Sequence, residues 1–139
     1  MTQRAYTLPE RMTIGSKLDA ARGAEEAVLR QAVACGYGQT AVFAIRLALE
    51  EALNNAIKHG NGYDESKTVD IAFDVNPNRA EVTITDQGSG FDPHSIPDPT
   101  ADENLEKPCG RGIMLMRAYM DEVEYSTKGN QVRIVKVNC

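Results

Sequence analysis

A chain of 139 residues can bury one continuous core but has little room for a second, so a single unit over residues 1–139 is expected. A net charge of −5 with three phenylalanines and no tryptophan offers neither a phosphate-tracking face nor base-stacking rings, which excludes direct nucleic-acid binding. Hydrophobic content of 42% suits a water-soluble globular protein, no apolar run is long enough to cross a bilayer, and Arg4, Glu10, Arg11, Lys17 and Asp19 interrupt any signal core, so a cytoplasmic location without membrane contact is expected.

Residues 5–13, with Pro9 among Tyr6, Leu8 and Met12, predict a short edge strand. Ser16 is placed to cap a helix over 17–34, which Gly36 and Gly38 end. From 39 to 59 the apolar residues Val42, Ile45, Leu49, Ala52, Leu53 and Ala56 recur at helical spacing, and Gly60-Asn61-Gly62 form the stop. Residues 69–75 and 81–85 then alternate apolar with polar about the turn Asn76-Pro77-Asn78, predicting an antiparallel hairpin with one wet face.

After Asp86 the chain carries Pro93, Pro97, Pro99 and Pro108 among acidic residues, an irregular stretch of a length usually found in a functional lid or a disordered insert. A third helix is predicted over 111–120, followed by strands at 122–126 and 131–137 joined through Lys128-Gly129-Asn130. Without a regular βαβ repeat, these elements predict an α+β, two-layer sandwich: a mainly antiparallel mixed sheet covered on one face by three helices.

Three segments carry chemistry, and together they describe a nucleotide pocket. On the second helix an Asn amide oxygen one turn after a carboxylate suits Mg²⁺ ligation beside a base. Two pairs satisfy that spacing, Glu50 with Asn54 and Glu51 with Asn55, and the helical wheel does not choose between them. Asp86, ending a strand before Gly88 and Gly90, offers an acceptor-only carboxylate to the exocyclic amine of adenine; guanine presents a carbonyl there, so ATP is expected over GTP. Gly110-Arg111-Gly112 opens the third helix with unpaired N–H groups where phosphates would lie. Cys35, Cys109 and Cys139 are too scattered for a disulfide framework or a clustered metal site, the Met114, Met116 and Met120 stripe reads as core, and His94 lacks a ligand partner.

The order Glu51-Ala52-Leu53-Asn54-Asn55-Ala56-Ile57-Lys58-His59-Gly60, then Asp86-Gln87-Gly88-Ser89-Gly90, then Gly110-Arg111-Gly112-Ile113 resembles the N, G1 and G2 boxes of the GHKL superfamily of gyrase, histidine kinases and MutL. The short length narrows the resemblance to the anti-sigma-factor serine/threonine kinases. It implies the Bergerat ATP-binding fold, with a lid at about residues 92–110, and it selects Asn55 as the Mg²⁺ ligand and Glu51 as the catalytic base, because Ala56-Ile57-Lys58-His59-Gly60 follows. His59 belongs to the same nucleotide box by this likeness. Further implications are a small STAS-type anti-sigma antagonist as phosphoacceptor, a sigma factor as second partner with Arg22 and Arg30 as contact candidates, and a homodimer. The alternative function is a nucleotide-gated binding module of the same fold that transfers no phosphate.

Overall fold

The computed structural model describes residues 10–88 and 120–138. Strand β1 (Glu10–Gly15) leads into helices α1 (Leu18–Ala34) and α2 (Gln39–Asn54), the latter continued by a π-helix (Asn55–Gly60). Strands β2 (Thr68–Val75), β3 (Arg79–Asp86), β4 (Glu122–Tyr125) and β5 (Gln131–Val137) complete the described elements. The sheet order is β1-β2-β3-β5-β4, with every pairing antiparallel. The edge strand runs two residues past its expected end, to Gly15, while residues 5–9 of the expected strand and the third helix fall outside the described residues, apart from Met120, which is buried.

Period-two alternation gives the sheet two unlike faces. Ile71 stands beside Ile84 and then Val132, and Phe73 beside Val82 and then Ile134; this row faces α1 and α2. Val28, Ala32, Ile45, Leu49 and Leu53 supply the helical side of the same core. The other face carries Thr13 bonded to Asp70, Gln131 bonded to Thr85, and Arg133 bonded to Glu81 and Glu122. A polar ladder there leaves the apolar side no choice but to meet the helices, so register and layering are specified together.

The helix junction is set by local chemistry. Gly36 takes a φ of +88°, and the Tyr37 and Gly36 N–H groups donate to Ala32 O and Val33 O, closing α1 with a Schellman arrangement. Gly38 then begins α2 in extended conformation. The Tyr37 hydroxyl donates to Asn76 O at 2.8 Å, tying this junction to the β2–β3 turn, where Asn76 Oδ1 accepts from the N–H groups of Asn78 and Arg79.

Two local expectations are corrected. Ser16 does not cap α1: Lys17 occupies that position without a side-chain bond, and Ser16 is buried with its hydroxyl donating to Lys67 O. The second helix is not regular to His59. It widens after Asn54, so that the Asn61 N–H reaches back five residues to Ala56 O at 2.8 Å and the Tyr63 N–H to Ile57 O at 2.9 Å. Apolar periodicity registers which residues face the core, and Ala56 and Ile57 do so in either helix type, which is why the pattern alone reads straight through.

Candidate nucleotide site

The end of α2 and the π-helix present the first set of predicted residues. Ala52, Leu53, Ala56 and Ile57 are buried; Glu51 and Asn55 are half-buried beside them, while Glu50 and Asn54 are exposed. Glu50 belongs to the flank facing α1, where its charge acts on Glu25. The two pairs that share one spacing in sequence therefore occupy different environments, and Glu51 with Asn55 lies at the boundary between core and solvent. Neither side chain makes a hydrogen bond among the described residues, and His59 is exposed within the wide turn.

Asp86 ends the central strand opposite Val69. Its backbone N–H donates to Asn130 O at 2.9 Å, and its carbonyl accepts from Asn130 Nδ2 at 3.3 Å, which fixes the strand end to the β4–β5 turn. The Gly88 N–H donates to Asp86 Oδ1 at 2.8 Å. Burial raises the Asp86 carboxyl above its ordinary range, opposed by the Gly88 N–H and the charge of Lys67. Oδ2 accepts no hydrogen bond among the described residues.

Two glycines make this packing possible. A β-carbon on Gly60 would fall within the Asp86 carboxylate, and one on Gly88 would collide with Gly60 O while standing 3.0 Å from Asp86 Oδ1. The backbone at the end of the π-helix, the carboxylate and the turn after β3 thus meet in direct atomic contact. Helix end and strand end form one corner, although Gly60 and Asp86 lie 26 positions apart in the chain.

Sequence reasoning missed Asn61, taken there only as part of a helix stop. It is 2% exposed, and its amide donates to Ser16 Oγ and to Thr68 O, each at 2.9 Å, while its Oδ1 accepts from the Gln87 N–H at 2.8 Å. Gln87 Oε1 in turn accepts from the Thr68 N–H at 2.7 Å. Partners so far apart along the chain leave no local signal beyond an Asn set between two glycines. Gly90, Gly110, Arg111 and Gly112, with Cys109 and the lid, lie outside the described residues.

Helices on one face of an antiparallel sheet, with a carboxylate held at the helix–sheet corner, define the class as an α+β sandwich built around that corner. The model of the histidine kinase-like ATPase domain matches residues 15–136. The serine-protein kinase RsbW of Bacillus subtilis is 34% identical over 97 residues, covering 63% of this chain and 59% of that protein. The anti-sigma F factor of Clostridium perfringens strain SM101 is 35% identical over 95 residues, covering 66% and 67%. RsbW of Oceanobacillus iheyensis is 28% identical over 99 residues, covering 67% and 63%, so the chain spans about six tenths of the length of the RsbW relatives it matches. Among solved structures, the RsbU and RsbW domains of Rv1364c from Mycobacterium tuberculosis superimpose with a TM-score of 0.63 at 16% identity, over 95% of this chain and 32% of that one, a likeness of fold. This chain belongs to the histidine kinase-like ATPase domain family, in the company of RsbW and anti-sigma F relatives.

Proposed function

We propose that this chain is a single-domain, cytoplasmic ATP-dependent serine/threonine protein kinase that phosphorylates a small anti-sigma antagonist and regulates the availability of a sigma factor. The observation that carries the reading is the Asp86 carboxylate, packed against Gly60 and bonded to the Gly88 N–H, with Oδ2 accepting no hydrogen bond among the described residues, at the end of the helical run that bears Glu51 and Asn55. The names of the RsbW and anti-sigma F relatives support the kinase class and a sigma-factor partner, and the antagonist and a homodimer are proposed on the family likeness.

In this reading Asp86 accepts from the adenine amine, with Gly88 and Gly90 letting the base approach. Gly110, Arg111 and Gly112 steady the phosphates. Asn55 supplies one amide oxygen to Mg²⁺; no three His, Cys, Asp or Glu side chains converge on an ion site among the described residues, and a single protein oxygen suits an ion that keeps waters and phosphates as its other ligands. When bound, Mg²⁺ neutralises charge on the transferring phosphates. Glu51 orients the acceptor hydroxyl and takes its proton as the serine or threonine oxygen bonds to the γ-phosphorus and the bridging oxygen departs with ADP.

The test joins binding to transfer. Thermal unfolding with Mg·ADP, Mg·ATP and Mg·GTP should show stabilisation by the adenine nucleotides, of about 2.7 kcal/mol at a hundred times the dissociation constant, and its loss in Asp86→Asn. Transfer of labelled γ-phosphate to a STAS-type antagonist should vanish in Glu51→Ala while ADP binding persists. Absence of any adenine-nucleotide effect overturns the reading; binding without transfer by the wild type would favour the nucleotide-gated module instead.

A further inference from the structure

We propose that Asn61 is the positioning residue for adenine selectivity, holding both walls of the Asp86 corner through one buried amide. The inference rests on the assignment of Asp86 as the adenine acceptor. Gly60, which packs on one side of the carboxylate, is the residue next to Asn61 in the chain. Gly88, which packs against Gly60 and donates to Oδ1, is the residue next to Gln87, whose N–H is held by Asn61 Oδ1 at 2.8 Å. The remaining bonds of the amide, to Ser16 Oγ and Thr68 O, anchor it to the starts of α1 and β2. The Asn61 backbone N–H also closes the wide turn on Ala56 O.

A carboxylate discriminates an amine from a carbonyl only when its free oxygen is aimed. Asp86 Oδ1 is committed to Gly88, so the direction of Oδ2 follows from where the Gln87–Gly88 peptide stands. Removing the Asn61 amide takes the acceptor from the part-buried Gln87 N–H, the Asp86–Gln87 peptide turns to find another partner, water included, and the following Gly88 N–H and the carboxylate bonded to it move with it. Base selectivity falls, whereas a merely structural residue would lower stability and leave the preference between bases unchanged.

The experiment measures dissociation constants for Mg·ADP and Mg·GDP by calorimetry on the full chain, well below each variant's unfolding midpoint. Asn61→Ala should reduce the ADP-over-GDP preference by up to about tenfold, the scale of one hydrogen bond. Asn61→Asp keeps the acceptor toward Gln87 and should retain more of the preference than Asn61→Ala. Ser16→Ala, which loosens the same buried network away from Gln87, should lower the unfolding midpoint and keep the wild-type ratio. Should Asn61→Ala not fold, Asn61→Ser takes its place with the same expectation. An unchanged ratio in the Ala or Ser variant, or an equal loss in Ser16→Ala, overturns the inference. Asp86→Asn separates the two levels: if it leaves the ratio intact the adenine assignment itself fails, and if it abolishes the ratio while the Asn61 variants do not, only the positioning role fails.

Discussion

Gly60 and Asp86 meet so closely that a β-carbon on the glycine would stand 2.6 Å from Asp86 Oδ1 and overlap the rest of the carboxylate. Helix end and strand end are therefore in register only while residue 60 has no side chain. Gly60→Ala should lower stability by about 1–3 kcal/mol, the usual cost of forcing a methyl group into a packed site, and should weaken adenine-nucleotide binding beyond that. Gly88→Ala should behave alike, since its β-carbon meets the Gly60 backbone, which yields less readily than a side chain. Chemical denaturation with and without Mg·ADP checks both; wild-type stability in either variant would contradict the packing.

The buried Glu25 carboxyl is raised from its ordinary 4.5 to about 7, first by desolvation and then by the charge of Glu50, against the pull of Arg46. Arg46 lies 3.2 Å away and is shared with Glu26. A carboxyl that holds its proton more tightly when folded contributes stability fully below pH 4.5, and that contribution is lost as pH rises through 7. Glu25→Gln should therefore stabilise the protein at pH 8 by about 1–3 kcal/mol and change little at about pH 5. Denaturant midpoints across that range decide the matter; parallel curves for variant and wild type would remove Glu25 as the cause.

Ile57 is fully buried inside the π-helix, whereas Lys58 beside it is exposed. Ile57→Ala should cost about 2–5 kcal/mol through lost burial and the cavity left behind. Lys58→Ala should stay within about 0.5 kcal/mol of wild type. Similar costs at the two positions would show that the wide turn packs differently in solution.

On the polar face, Arg133 reaches Glu81, Glu122 and Glu124. The Arg133 hydrogen bond holds the Glu81 carboxyl below its ordinary range, so its contribution is present at neutral pH and lost as pH falls. Partial exposure lets solvent and salt screen the pair. Glu81→Gln should cost under about 1 kcal/mol at pH 7, less in high salt, with the difference fading toward acid, as denaturation at two ionic strengths and two pH values would reveal.

Much of the architecture was legible because long-range structure followed short-range pattern. The alternation around Ile71, Ile84 and Ile134 announced strands with one wet face, and Leu49, Leu53 and Ala56 announced a core-facing helix. The misses share one physical origin. Ser16 looked like a helix cap because its type and place suit one, yet a tertiary partner, Asn61, captured its hydroxyl. Asn61 looked like punctuation because its three partners come from elsewhere in the chain. Glu50 and Glu51 were indistinguishable by spacing, and only the position of α1 gives them different surroundings.

The widened stretch Asn55–Gly60 also gives chain length a meaning of its own. A π turn amounts to one residue more than an α-helix needs to cover the same rise. Deleting a single residue there would let α2 run on as an ordinary helix, with Ala52 and Leu53 still seated in the core and the sheet untouched. Everything beyond the deletion would arrive rotated by about 100° about the helix axis, carrying the Gly60 backbone away from Asp86. The protein would keep its architecture and lose the corner, so at this point in the chain the number of residues is a requirement of the pocket rather than of the fold.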